Sequence, residues 1–298
     1  MARMRGKSRL IYRYLRHDKK FPHVWCPGCG DGIVLGSLIR TIHKLGLSKD
    51  DIVLVSGIGC AGRLPVYVDF NTLHTTHGRA LTFATGIKLA KPQLKVIVVM
   101  GDGDATAIGG NHLIHAARRN VEITAIIMNN NIYGMTGGQF SPTTPYGLRA
   151  TTAPHGHVEH AFNISRLAEA AGAAFVGRGT VYHVNILDRL LEEAIEKKGF
   201  AVVETITHCP THFNKMNLLG GPVESMKWMK KHAVLVEKAQ KMDAEDLQGK
   251  FRIGVLVNRD IPDYQTEYDQ VRKRSKDAVP YLLDPQEISR MMESNQIY

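Results

Sequence analysis

VIVVMGDGDATAIGGNHLIHAARRNVEITAIIMNNNIYGMTGG, residues 96–138, decides how the rest of the chain folds. An apolar run, Val96–Met100, stops abruptly at Gly101-Asp102-Gly103-Asp104. A helix is expected over Ala105–Arg119, and a second apolar run, Ile123–Met128, stops at Asn129-Asn130-Asn131. Both runs have the length and β-branched content of strands buried on two faces. Two parallel strands joined by a helix end side by side. Asp102 and the asparagines should therefore meet at one sheet edge, although 28 positions separate Asp102 from Asn130.

Such an edge suits a metal-bridged anion. Gly101 and Gly103 allow a sharp turn and a close backbone approach. Asp102 offers a carboxylate oxygen, Asn130 an amide oxygen, and a peptide carbonyl near Ile132 a third. So small a set of hard oxygens suits Mg2+ shared with a diphosphate, because Mg2+ fills its remaining positions with phosphate or water. A second GDG, Gly30-Asp31-Gly32, has no apolar strand before it and no asparagine pair after it at the right distance, so it is set aside.

Outward from this unit, Asp31–Leu45 has helical periodicity and Ile52–Val55 reads as a buried strand. A helix rich in small residues runs to Leu89, and Phe140–Pro154 is a polar loop. Helices follow at Ile164–Ala171 and Asn185–Lys197, and strands at Phe175–Gly177 and Ala201–Ile206. This alternation predicts an α/β fold, a doubly wound and mainly parallel sheet with helices on both faces. Gly57–Gly62 matches the dinucleotide fingerprint, but Pro65 spoils the helix that should follow; the glycines read better as a tight loop placing Cys60. A basic arm is expected over residues 1–20, the main domain over 21–210, and an extension packed on the core and on a partner over 211–298. Within the extension a helix is expected at Ser225–Lys241, no clear periodicity at Asp260–Asp269, and a capped helix start at Asp284-Pro285-Gln286-Glu287.

The chain has 298 residues, 44% of them hydrophobic, enough for a sizeable core. It has neither an apolar run approaching the ~20 residues of a membrane span nor the apolar stretch of a signal peptide, so a cytoplasmic protein is expected. The net charge of +10 is spread over short clusters, Lys19-Lys20, Lys227–Lys231 and Arg272–Lys276. None alternates with aromatics as a single-strand groove would. An acidic protein partner fits the charge as well as nucleic acid does, and no nucleic-acid role is expected. Four cysteines, Cys26, Cys29, Cys60 and Cys209, are enough for an iron–sulfur cluster or a zinc site. Cys60 and Cys209 each follow a strand end, on the same edge as the GDG turn.

Taken together, CPGC at 26–29, GIGCAGR at 57–63, HGRA at 77–80, GDGDA at 101–105, NNNIYGMTGGQ at 129–139 and HCPTHFN at 208–214 resemble the β subunit of 2-oxoacid:ferredoxin oxidoreductases, over most of residues 20–215. The long C-terminal extension looks like the 2-oxoglutarate type; a pyruvate or broad-range enzyme is the alternative. The resemblance implies a thiamine diphosphate-binding fold that carries out oxidative decarboxylation of a 2-oxoacid with coenzyme A. It implies one [4Fe-4S] cluster on Cys26, Cys29, Cys60 and Cys209, and Mg2+ on Asp102, Asn130 and the Ile132 carbonyl. Ile58, Gly59, Cys60, Ala61, His77, Gly103, Asp104, Gly134 and Met135 would surround thiamine diphosphate. Arg63 would contact the substrate acid or serve as a structural cation, the two readings standing level. An α subunit is implied, supplying the activating glutamate and coenzyme A contacts in an (αβ)2 assembly, with ferredoxin as electron acceptor. A thiamine enzyme without electron transfer would not need four cysteines. A basic zinc-binding nucleic-acid module would leave GDG and NNN unexplained.

Overall fold

The computed structural model describes residues 6–18, 22–276 and 284–293. The chain runs through α1 (Gly6–Tyr14), α2 (Asp31–Lys44), β1 (Ile52–Ser56), β2 (Asn71–His74), α3 (Ala80–Ala90), β3 (Lys95–Gly101), α4 (Gly110–Arg118) and β4 (Thr124–Asn129). A two-stranded ribbon, β5 (Ile132–Tyr133) and β6 (Gln139–Phe140), precedes α5 (Ile164–Ala170), β7 (Phe175–Thr180), α6 (Val184–Glu196) and β8 (Ala201–Ile206). The C-terminal part adds α7 (Pro222–His232), β9 (Ala233–Leu235), α8 (Val236–Ala239), β10 (Phe251–Asn258), α9 (Tyr264–Lys276) and α10 (Pro285–Glu293). Among the described residues no helix is long and apolar enough to cross a membrane.

The main sheet has the order β2-β1-β3-β4-β8-β7-β10-β9. From β2 to β7 every pairing is parallel. Successive side chains in a strand point to opposite faces, so the sheet builds two cores. Leu54, Ile97, Val99, Ile126, Met128 and Val203 pack towards α2 and α6. Val53, Val55, Val96, Val98, Ala125, Ile127 and Val202 pack towards α3, α4 and α5. Strands covered on both sides are why these runs are continuously apolar rather than alternating.

Three expectations fail for identifiable reasons. Ala105–Arg119 is not one helix. Asp104–Ile108 forms a wider π turn, closed by Gly109 N donating to the Asp104 carbonyl at 3.1 Å, and α4 starts afresh at Gly110. Gly78 packs closely on Ile108 and Gly109, at the end of this turn. Ser225–Lys241 is interrupted, because Ala233–Leu235 extends to pair with β10; tertiary pairing overrides local helix preference. Asp260–Asp269 contains the start of α9, capped by Asp263, whose carboxylate accepts from Thr266 N at 3.1 Å and Thr266 Oγ1 at 2.7 Å. The expected cap at Asp284 is present, accepting from Gln286 N at 2.9 Å.

The segment after Pro210 does more than lie on the core. β10 pairs antiparallel with β7, with a register shift between Val255 and Val257, and so enters the main sheet. The described part of the N-terminal arm folds back on its own chain: Leu15 bridges to Val68, and Arg16 Nε donates to the Val68 carbonyl at 3.0 Å. The Lys19-Lys20 cluster lies outside the described residues.

One buried ionic network ties the central strands together. Glu204 accepts from Asn129 Nδ2 (2.9 Å), Ser165 Oγ (2.6 Å) and Arg178 Nε (2.9 Å), and Arg178 also donates to Asn163 at 2.6 Å. Removing one partner of such a pair leaves the other charge stranded. Glu204→Ala should therefore destabilise the chain by about 3–5 kcal/mol, and Glu204→Gln by less. Denaturant unfolding of both variants measures this.

Candidate cofactor and metal site

The register of the central strands builds the site. Gly101 of β3 lies opposite Met128 of β4, so Asp102 leaves the sheet level with Asn129 and Asn130. β1 ends beside them, Ser56 lying opposite Val99. The loops beyond these three strands form an open cleft of about 80 Å³. It lies where β1 and β3 feed connections running in opposite directions, the usual ligand position in such sheets.

Ile58, Gly59, Cys60, Ala61, His77, Gly103, Asp104, Gly134 and Met135, expected around the cofactor, all line this cleft, as do Asp102, Asn130 and Ile132. Arg63 does not. It is exposed, in the turn Ala61–Val66, and acts on the site through its charge on Cys60.

Asp102 is 2% exposed. One of its oxygens accepts from Ser141 Oγ and Thr143 Oγ1, both at 2.5 Å. Burial pushes its carboxyl up to about 6; the Ser141 and Thr143 hydroxyls and backbone amides oppose this. The asparagines divide the work. Asn129 is anchored to Glu204, Asn131 takes the left-handed conformation (φ 62°) that turns the chain, and Asn130 faces the cleft, its Oδ1 accepting from Ile132 N at 3.2 Å. A buried carboxylate held only by neutral donors, with amide and carbonyl oxygens in the same cleft, fits a hard divalent cation.

Asp104 lines the inner wall of the cleft. Its Oδ1 is shared by His77 Nδ1 and Gly78 N, the latter at 2.7 Å, and burial raises its carboxyl. Gly57 must lack a side chain, since a Cβ there would overlap the Asp104 carboxylate. Tyr133 covers Gly103, its hydroxyl donating to the Gly103 carbonyl at 3.0 Å. Burial, then the charges of Asp102 and Asp104, push its phenol up to about 12. Gly59 and Gly101, with nothing within 4 Å of where a Cβ would stand, leave backbone bare along the cleft, a cradle suited to a diphosphate-bearing cofactor.

The four cysteines are free thiols drawn to one corner of the cleft. Cys29 N donates to the Cys26 carbonyl at 3.0 Å, closing the CxxC turn. Trp25 Nε1 donates to the Cys60 carbonyl at 2.8 Å, and His208 Nε2 lies 2.7 Å from the Gly28 carbonyl, joining this turn to the loops of Cys60 and Cys209. The Sγ atoms of Cys60 and Cys209 both lie 3.6 Å from where a Cβ on Gly134 would stand. Burial, the largest cause in each case, raises the Cys29 and Cys209 thiols and pushes Cys60 up to about 12. The thiol charges also act on one another, Cys29 with Cys60 and Cys209, and Cys60 with Cys209 and Cys26. Among the described residues no three His, Cys, Asp or Glu side chains close around a single ion position. Four soft sulfur ligands in one corner are the donor set that an iron–sulfur group or a zinc ion takes.

Sequence reasoning missed three groups. Ser141 and Thr143 lie in the polar loop and reach Asp102 only through tertiary folding. Asp31, from the GDG set aside above, is buried in the same cleft. Burial raises its carboxyl to about 7. That GDG starts α2, Gly30 standing at its N-cap. His157 is buried, its ring tilted by 35° against that of Phe140 with centroids 4.4 Å apart.

Residues 57–205 match the family described as "Thiamine pyrophosphate enzyme, C-terminal TPP binding domain". Fold and site thus define a thiamine pyrophosphate enzyme domain. The similarity runs further: the chain is 45% identical over 264 residues to 2-oxoglutarate synthase subunit KorB of Methanocaldococcus jannaschii, covering 89% of this chain and 97% of that one. It is 58% identical over 199 residues to the Archaeoglobus fulgidus protein of the same description, covering 67% of this chain and 74% of that one. A solved structure described as 2-oxoglutarate:ferredoxin oxidoreductase from Magnetococcus marinus with 2-oxoglutarate, coenzyme A and succinyl-CoA bound superposes with a TM-score of 0.80 at 32% identity, covering 98% of this chain and 97% of that one. The chain belongs to the KorB family, the β subunits of the 2-oxoglutarate type of 2-oxoacid:ferredoxin oxidoreductase.

Two outcomes follow from the buried acids. Folded Asp102 holds its proton to about pH 6, above the ordinary aspartate range near 4, so its contribution to stability is full below about pH 4 and is lost as pH rises through 6. At pH 7–8 Asp102→Asn should therefore stabilise the cofactor-free chain, by an amount on the order of 3 kcal/mol at most, and should flatten its stability between pH 4 and 7; urea unfolding across that range checks both. Gly57→Ala should cost about 1–3 kcal/mol by overpacking against Asp104, read as a lowered thermal midpoint.

Proposed function

We propose that this chain is the thiamine diphosphate- and cluster-bearing subunit of a 2-oxoglutarate:ferredoxin oxidoreductase, which converts 2-oxoglutarate and coenzyme A to succinyl-CoA and CO2 and delivers the electrons to ferredoxin. The observation that carries this reading is that Cys60 lies in both halves of the site. It lines the cleft of Asp102 and Asn130, and its sulfur approaches Gly134 together with that of Cys209. Bound thiamine diphosphate supplies a carbon nucleophile and electron sink for decarboxylation, and an adjacent cluster accepts electrons singly.

Asp102, Asn130 and the Ile132 carbonyl would hold Mg2+ on the diphosphate, with Ser141 and Thr143 fixing the carboxylate in one orientation. Gly59, Gly103 and Gly134 would let the cofactor approach the backbone, and His77, held by Asp104, would present its other ring nitrogen towards the cleft. Cys26, Cys29, Cys60 and Cys209 would bind a [4Fe-4S] cluster, losing their thiol protons as they do so. On this reading residues 21–210 carry both groups, and residues 211–298 pack on the core and on a partner.

The cleft supports the need for an α subunit. Its volume, about 80 Å³, is far below the roughly 300–1,000 Å³ of complete ligand pockets, and among the described residues its acidic lining consists of Asp31, Asp102 and Asp104 without a glutamate. An α subunit would close it and supply the glutamate that activates the cofactor, in an (αβ)2 assembly.

Anaerobic co-expression of both subunits tests the proposal. The purified assembly should contain iron, sulfide and thiamine diphosphate, and should reduce a viologen with 2-oxoglutarate and coenzyme A at least ten times faster than with pyruvate, a difference of about 1.4 kcal/mol in barrier. Faster turnover of pyruvate would reassign the substrate; absence of iron or of thiamine diphosphate would end the oxidoreductase reading. Asp102→Ala should lose thiamine diphosphate and keep its brown colour, with both contents measured on the same sample.

A further inference from the structure

The CxxC turn ends against the first turn of α7, where a Cβ on Gly28 would overlap the Pro222 ring. Cys26 is exposed whereas Cys209 is buried, so Cys26 marks the side on which the four-thiol set reaches solvent. α7 turns Ser225 and Met229 inward and leaves Val223, Glu224, Lys227, Trp228, Lys230 and Lys231 outward. At 1.5 Å per residue, Lys227 lies about 8 Å from Pro222 along the helix axis, and Lys230 and Lys231 about 12–14 Å. Lys227 lies within the ~8–10 Å over which charges act at ordinary salt, and Lys230 and Lys231 extend the charged face a turn beyond it. The one acid of the helix is used locally, Glu224 Oε2 accepting from Gly221 N at 2.9 Å. The helix dipole accounts for basic residues in the last turn, but not for Lys227 in the middle. Nor does it account for two large apolar side chains left open beside the turn, Val24 at 66% and Val223 at 59% exposure.

Resting on the function proposed above, we infer that the outer face of α7, together with the rim of the CxxC turn, is the docking surface for a small acidic electron carrier of the ferredoxin class. Lysines carry strongly hydrated charge at the ends of flexible stems. They steer an acidic partner into contact without binding it tightly. An apolar contact of two valines ringed by charge matches the small, short-lived interfaces of electron-transfer partners. The carrier's own redox centre would then lie on the Cys26 side, the shortest route out of the four-cysteine corner.

The test uses the anaerobically purified αβ assembly and an acidic ferredoxin, comparing wild type with the triple variant K227E/K230E/K231E. Ferredoxin affinity is measured without turnover at about 50 and 300 mM NaCl, together with KM for ferredoxin and kcat with a viologen. Wild-type affinity should fall with salt. The triple variant should show about tenfold or more weaker affinity and higher KM for ferredoxin, little salt dependence, and an unchanged viologen rate. Wild-type affinity and KM in the triple variant would overturn the inference. So would loss of the α subunit from that variant, which would assign the face to α. If viologen reduction is intact throughout and only the ferredoxin effect is missing, the docking surface alone is wrong; a wild-type assembly inactive towards viologen with every 2-oxoacid removes the functional reading beneath it.

Discussion

Parallel pairing of β1, β3 and β4 in a single register is the constraint on which the rest depends. Because Gly101 lies opposite Met128 and Ser56 opposite Val99, three chain reversals occur at the same level of one sheet edge. A one-residue slip would turn every side chain of a strand to the other face. Both faces are buried here, so the cores oppose any slip. The apolar runs thus hold the polar ends where they must meet: burying Val98 and Ile127 aligns Asp102 with Asn130.

That alignment is electrostatically unfavourable for the chain by itself. Asp31, Asp102 and Asp104 are all buried around one cleft, and burial raises all three carboxyls. Cys29, Cys60 and Cys209 are likewise raised, so the thiols stay protonated until a metal displaces the protons. A fold that keeps acids dry and thiols neutral stores unfavourable electrostatics in one corner. Cations binding there would relieve them. The neutral donors Ser141 and Thr143 hold Asp102 in orientation without neutralising it, leaving its charge for a metal.

The glycines show how closely the parts fit. Gly57 makes room for the Asp104 carboxylate, Gly103 for the Tyr133 ring, and Gly28 for Pro222 of α7. The first two shape the cleft, and the third joins the CxxC turn to the segment beyond residue 210. Through that joint, and through β10 in the main sheet, the C-terminal part becomes continuous with the site rather than an appendage.

Strand runs, GDG and NNN, and the four cysteines were legible in the sequence because each is a local pattern whose chemistry does not depend on its surroundings. A run such as Ile123–Met128 can only be buried, and the glycines of a GDG turn serve the same purpose wherever the strand ends. What no local pattern carried were contacts between distant segments: Ser141 and Thr143 on Asp102, Asp31 in a cleft built by other strands, β10 against β7, and Gly78 against Ile108 and Gly109. These come from which surfaces press together once the sheet has formed, so composition and spacing determined the strands and the donor chemistry, while only the tertiary structure decided which donors share a site and how dry that site is.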